Sequence, residues 1–176
     1  MVDWVHVGNV PKFSLTPKME KLQHFSSMVG TKLLDLTAFT SKQAEVEITL
    51  EEWVPENIIV ALMAEVIHNT AGDTLYDLFA AGKVERQVKL TGTNDFGANI
   101  EVILPHVFFA VDKVVDFIGD EWGNFVLTGD VLRFGGTFGT LQFLDKGVAE
   151  APQTAPNPVN YFIGKGNVYF APFSAV

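Results

Sequence analysis

A chain of 176 residues fits one domain, and a composition 48% hydrophobic with 15 phenylalanines supplies ample material for a core, which excludes an intrinsically disordered segment. Zero cysteines exclude disulfide staples and thiolate metal sites. A net charge of −9, from 21 acidic and 12 basic residues, argues against a protein that grips nucleic acid, because neutralising phosphates takes a surplus of Lys and Arg. An acidic wall would still let DNA pass without retaining it, and plain solubility explains the charge equally well. No apolar run approaches the roughly 20 residues that span a bilayer. The opening MVDWVHVG has neither the basic region nor the long apolar stretch of a signal peptide.

In chain order, Trp4 to Pro17 (WVHVGNVPKFSLTP) reads as a strand. From Ser26 to Ser41 no periodicity is visible, yet Met28, Val29, Leu33, Leu34, Leu36 and Phe39 make this stretch too apolar for an idle loop. A long apolar loop in a compact domain often contacts a partner. Gln43 to Glu51 alternates Ala44, Val46, Ile48 and Leu50 with Glu45, Glu47 and Thr49, which predicts a strand with one buried face and one acidic, wet face. Pro55 suits a first helical position. Glu51, Glu52 and Glu56 suit the positive end of the helix dipole, and Ile58, Ile59 and Leu62 form an apolar stripe. Val54 is a poor N-cap. Asp73 to Ala80 reads either as a short helical turn or as a strand.

Val84 to Leu90 and Asn99 to Leu104 alternate again, and GTNDFG at 92–97 predicts a hairpin connection between them. Phe125 to Arg133 and Phe138 to Leu144 predict two more strands, on either side of Gly135-Gly136. Gly147 to Val159, with Pro152, Pro156 and Pro158, reads as an extended, stiffened linker. Tyr161 to Phe170 is a further strand, in which Gly164 and Gly166 mark a bulge or a tight contact. No internal repeat is visible. Strands, one helix, then more strands predict a mainly β protein, an antiparallel sandwich or barrel with one packed α-helix.

The search for chemistry yields little. His6, His24, His68 and His106 lie far apart and none has a ligand-spaced partner; no HExxH or GxSxG motif is present. Gly164-Lys165-Gly166 lacks the glycine spacing and following Ser/Thr of a phosphate loop, and Gly135 to Gly139 sits between strands rather than before a helix. Asp112, Asp116 and Asp120 would share one helical face and, with Glu121, offer oxygen ligands to Ca²⁺. The same stretch holds Val111, Val114, Val115, Phe117 and Ile118 and reads equally well as strand edge and turn. The sequence therefore predicts no enzyme, no cofactor and no metal.

Several segments resemble the tail tube proteins of long-tailed bacteriophages. They are NYFIGKGNVYFAPF (Asn160 to Phe173), WVHVGNVPKFSLTP with its continuation to Ser27, QAEVEITLEEWVPENIIVAL (Gln43 to Leu62), LTGTNDFGANIEVILP (Leu90 to Pro105) and DEWGNFVLTGDVL (Asp120 to Leu132). In that family the YxIGKGxVYF strand comes first and the GNVPKFSxTP strand follows; here the first strand stands near the C-terminus. Val54 also departs, where the family often has a Thr capping the helix. The resemblance implies a circularly permuted subunit, rearranged by engineering or naturally. It would be a single domain over 1–176, with a body at 1–146, a joining linker at 147–159 and the relocated strand at 160–176.

What the resemblance further implies is assembly: hexameric rings stacked into a hollow conduit through which DNA passes without specific binding. The implied partners are copies of the same chain and other tail proteins, with no membrane and no small-molecule ligand, and the implied place is the virion tail, after synthesis in the host cytoplasm. Met28, Val29, Leu33, Leu34, Leu36 and Phe39 would then belong to the loop that reaches an adjacent ring, and Glu45 and Glu47 would be candidates to face the lumen. Two other readings remain at this point. One is a carbohydrate-binding β-sandwich with Trp4, Trp53 and Trp122 as stacking platforms. The other is a tube protein of a contractile tail or a related secretion system.

Overall fold

The alternation at Gln43 to Glu51 folds as expected. Val46, Ile48 and Leu50 are fully buried, in a strand that extends much further back than the pattern does, from Leu33 to Leu50. The computed structural model describes residues 3–26, 30, 33–70, 73–94, 98–110, 115, 124–144 and 164–173. Its elements are β1 (Val5–His6), β2 (Lys12–Ser26), β3 (Leu33–Leu50), α1 (Pro55–Ala61), β4 (Glu65–Thr70), β5 (Asp73–Asp77), β6 (Val84–Asn94), β7 (Asn99–Ala110), β8 (Phe125–Val131), β9 (Thr140–Leu144) and β10 (Gly164–Pro172). The protein is mainly β with one short helix, and its sheets are antiparallel. The stretch that could have been helix or strand, Asp73 to Ala80, supplies strand β5, which pairs with β4.

The large sheet runs β1-β10-β6-β7-β8-β3-β2, with β9 also on β7. Strand β7 serves two neighbours in turn: Asn99 to Ile103 pair with β9, and Val107 to Ala110 pair with β8. Between these halves lie Pro105, which has no N–H to give the ladder, and a register shift against β6 at Arg86/Val88. A strand that changes partner across a bulge folds its sheet over. The side chains of Phe13 and Leu15 on β2 thus face Leu90, Ile100 and Val102 on β6 and β7 across an apolar cleft. The core inside this fold includes Val88, Leu104, Val107, Phe109, Phe125, Leu127 and Phe170. The rings of Phe109 and Phe170 lie 5.4 Å apart.

The anticipated strand Trp4 to Pro17 is broken in two. β1 pairs with β10, Val5 opposite Phe170 and His6 opposite Tyr169, and the chain then leaves that edge. Gly8 makes the corner at φ +85, a conformation L side chains rarely adopt, and a Cβ there would sit 2.5 Å from the Glu52 carboxylate. Pro11 follows, and the chain re-enters the sheet at Lys12 on its opposite edge, as β2 beside β3.

The corner is fastened to the start of α1. Asn57 is fully buried, and its Nδ2 donates to the carbonyls of Val7 and Glu52, both at 2.8 Å. The Asn9 N–H donates to Glu52 Oε1 at 3.1 Å, and Glu51 N–H to the Asn9 carbonyl at 3.2 Å. Pro55 takes the first helical turn as anticipated, Val54 gives no side-chain cap, and Glu56 pairs with Arg86 Nε of β6 at 2.5 Å. The expected stripe of Ile58, Ile59 and Leu62 needs correcting. Helix α1 has seven residues, too few for a regular stripe, and docks through Asn57, Val60, Ala61 and the capping Leu62, while Ile58 and Ile59 are half-buried.

The far end of β10 is held by rings. Phe173 stacks on His106 with centroids 3.7 Å apart and planes 7° from parallel, and Phe134 meets Phe173 edge-on at 5.3 Å. Phe134 pairs with Thr137 across Gly135 and Gly136, whose φ values of +58 and +89 make the two-residue turn that suits paired glycines. Gly166 marks a tight contact rather than a bulge, since a Cβ there would meet Leu90 Cδ1 at 2.9 Å and its pairing register is unbroken.

Two tests follow from these contacts. Asn57→Ala leaves the Val7 and Glu52 carbonyls unpaired and lowers unfolding free energy by about 2–4 kcal/mol in urea titration, while Asn57→Asp, which aims a carboxylate at two carbonyl oxygens, lowers it further. Glu85 sits beside Lys83 Nζ at 3.0 Å and His106 Nε2 at 3.5 Å. Chiefly through Lys83, and secondarily through His106, its carboxyl titrates below the ordinary 4.5. A depressed carboxyl stabilises the fold above its unfolded pKa and loses that contribution as pH falls through the folded value. Glu85→Gln therefore melts below the parent at neutral pH, and the difference closes as pH drops under 4.5.

Candidate assembly site

Strand β2 pairs with β3 all the way from Lys12↔Thr49 to Ser26↔Leu33, whereas β8 pairs with β3 only from Ala44 to Leu50. Beyond Ala44 the hairpin is a two-stranded ribbon whose described pairings are only with itself. At a rise of roughly 3.3 Å per residue, Lys18 to Ser26 reach about 30 Å. Leu15 to Phe25 on β2 and Leu34 to Thr40 on β3 are exposed throughout. An isolated two-stranded ribbon in water is marginal, and this one presents Met19, Leu22, Phe25, Leu34, Leu36 and Phe39 to solvent, with Leu36 63% and Phe39 53% exposed.

The segment Ser26 to Ser41, anticipated as an apolar loop, is therefore strand from Leu33 onward. Two bulges hide it from a period-2 search. Thr40 is skipped between the pairs Glu20↔Ser41 and Lys21↔Phe39, and Asp35 between His24↔Leu36 and Phe25↔Leu34. Of the six contact residues expected in this segment, Leu34, Leu36 and Phe39 lie exposed along the ribbon, and Leu33 is the first residue of β3. Met28 and Val29 lie outside the described residues, as do Asp112, Asp116, Asp120, Glu121, Trp122 and the 147–159 segment.

Residues opposite one another across the ladder share a face. One face of the ribbon carries Met19, Lys21, Phe25, Leu34, Phe39 and Lys42, and the other carries Glu20, Leu22, His24, Leu36 and Ala38. The first assignment is supported by Lys21 and Lys42, whose Nζ atoms both lie over the Phe39 ring, 5.5 and 5.9 Å from its centroid. On the second face His24 Nδ1 meets Asp35 Oδ1 at 2.7 Å.

At the root, Glu45 and Glu47 take the outward face of β3 as the alternation predicts. Glu45 pairs with Lys18 and Glu47 with Lys12, and Glu45 lies opposite Asp130 of β8. The bond to Glu45 raises the Lys18 pKa above the ordinary 10.5, with Asp130 adding to it, so this pair stabilises the root below pH 10.5 and loses its effect as pH rises beyond. These carboxylates are thus partly offset by lysines rather than forming a bare acidic strip.

Behind the root lies the apolar cleft, about 400 Å³ and open to solvent, lined by Phe13, Leu15, Leu90, Ile100, Val102 and Leu141 among others. Among the described residues no group of three or more His, Cys, Asp or Glu side chains is arranged to hold a metal. Trp4 lies under Lys89 at 4.8 Å, and Trp53 tilts against Phe125 at 5.5 Å.

A second exposed apolar region has no counterpart in the sequence reading. The β4–β5 hairpin and the turn after it expose Val66, Ile67, Leu75, Leu78 and Phe79. Tyr76, between them on β5, instead packs on the core. The signal available was the apolar content of EVIHNT and TLYDLF; the second stretch was open to a strand reading, but without alternation nothing marked EVIHNT as its partner.

The profile of a family described as "Protein of unknown function UCP028589" matches residues 1–81, a stretch that contains the ribbon, α1 and the β4–β5 hairpin. No curated protein matches the chain.

Proposed function

We propose that this chain is a structural subunit that assembles with copies of itself, a tail tube protein of the long, non-contractile phage type whose hexameric rings stack into a conduit for DNA. One observation carries the reading: a projecting ribbon on which six large apolar side chains each stay about half exposed or more. A contiguous exposed apolar surface of this kind marks an interaction site. A protein made to work alone blunts such a surface with charge or covers it.

Three further features support the reading. The GNVPKF and PEN stretches, which favour the non-contractile type, meet at one corner through Asn57, Asn9, Glu51 and Glu52. Strand β10 lies antiparallel beside β1, the neighbour it would have across a short turn in the family's order. The folded-over antiparallel sheet with one helix suits the β-sandwich or barrel of that family. The acidic balance also fits, since all but two of the 21 acidic residues lie outside residues 12–43, leaving the body a poor trap for DNA. Glu45 and Glu47 remain the candidates for a lumen-facing position, with Lys12 and Lys18 moderating their charge. In this reading the role is structural rather than catalytic.

Negative-stain electron microscopy and sedimentation velocity over a concentration series test it. Six-fold rings or tubes with a regular axial repeat are expected; a monomer at every concentration would overturn the proposal. Leu36→Asp combined with Phe39→Asp abolishes the assemblies while leaving the melting temperature of the monomer within about 2–4 °C of the parent, because both positions are exposed.

A further inference from the structure

The exposed ribbon and the β4–β5 hairpin are incomplete in complementary ways. The ribbon segment 12–43 carries five of the twelve basic residues of the chain and two of the 21 acidic ones. On its Phe39 face, Lys21 and Lys42 rest over an aromatic ring and have no carboxylate partner among the described residues. Their apolar companions Met19, Phe25, Leu34 and Phe39 are all exposed.

The hairpin has the opposite deficit. Glu65 stands directly across from Asp77, and Thr70 from Asp73, so carboxylates gather on the face away from Tyr76. Like charges in a direct cross-strand pair repel, and neither Glu65 nor Asp77 has a cationic partner among the described residues. Leu75 shares this face, and Leu78 and Phe79 follow in the turn. Phe79 holds φ +61, unusual for a bulky side chain, with its N–H donating to the Leu62 carbonyl at 2.9 Å. The bond to Leu62 anchors the backbone, yet Phe79 is 64% exposed, so its side chain finds little cover among the described residues. A strained backbone that turns an aromatic ring outward points to contact with something beyond the chain.

We infer that the Lys21, Phe39 and Lys42 face of the ribbon seats on the outer face of the β4–β5 hairpin of a second copy. Lys21 and Lys42 meet Glu65 and Asp77, while Phe39, Met19 and Phe25 cover Leu75 and Phe79. The two patches differ, so the contact is heterologous: each copy offers one ribbon and one hairpin, and association propagates from copy to copy rather than stopping at a dimer. This inference rests on the assembly reading and names the surface that receives the ribbon.

The chain has no cysteine, so single cysteines report on the pairing cleanly. A tagged Lys21→Cys chain mixed with an untagged Asp77→Cys chain and oxidised gives a mixed disulfide of distinct mobility on a non-reducing gel, and Lys21→Cys mixed with a cysteine at the far edge, Gln142→Cys, does not. Assemblies that form without the 21–77 crosslink overturn the inference and leave the assembly reading standing; a mixture that never associates overturns both. Charge reversal gives an independent check. Lys21→Glu with Lys42→Glu raises the concentration needed for assembly by about tenfold or more, since like charges are then juxtaposed. Adding Glu65→Lys and Asp77→Lys restores it, and a quadruple variant no better than the double refutes the pairing.

Discussion

The geometry of this protein depends on one buried carboxamide. Nδ2 of Asn57 donates to the carbonyls of Val7 and Glu52, and so ties together the end of β1, the exit of β3 and the first turn of α1. Without it the buried Val7 carbonyl would lack a donor, a cost of order 1–3 kcal/mol, and the half-buried Glu52 carbonyl would lose one as well. The tie sets the point at which the chain leaves the β10 edge of the sheet and re-enters it as β2. The position of the ribbon on the body follows from that. Gly8 and Pro11 shape the corner, but the amide fixes it to the helix.

Body and ribbon obey different rules. In the body, side chains such as Phe109, Phe125 and Phe170 are fully or almost fully buried, each contributing roughly 1.5–3 kcal/mol. The ribbon has the same kind of side chains on both of its faces, and among the described residues no layer lies behind either. Its root is held by surface ion pairs, Lys12 with Glu47 and Lys18 with Glu45, of a class that contributes little on its own. On the assembly proposed above, another chain would cover its remaining apolar surface. That asymmetry, more than any cleft or charged cluster, carries the functional reading.

How much of this was legible in the sequence follows from where burial is one-sided. Val46, Ile48 and Leu50, like Val102 and Leu104, face a core on one side and water on the other, so alternation announces them. Pro55 announced the helix because its fixed φ fits the first turn. The ribbon was illegible as strand because neither face is buried and because Thr40 and Asp35, bulged out of register, shift the phase twice within six residues. Its apolar content still set it apart from an idle loop, and the structure leaves Leu34, Leu36 and Phe39 exposed there. Strand β4 escaped for the first of those reasons, and the Asn57 tie could not be read at all, since it joins residues 50 positions apart.

Strand β10 lies between β1 and β6, hydrogen-bonded to both. During synthesis this has a consequence in time. Val5 and His6 emerge early, but Phe170 and Tyr169, which pair with them, emerge some 160 residues later, on the order of ten seconds or more at ordinary translation rates. Through that interval the edge of β6 is also open, while the apolar ribbon is already made. Were these two strands consecutive in the chain, as in the tail tube order proposed above, they would meet within moments as a local hairpin. Compared with such a local hairpin, the β1–β10 pairing is a slow, distant contact, and the nascent chain stays adhesive for longer.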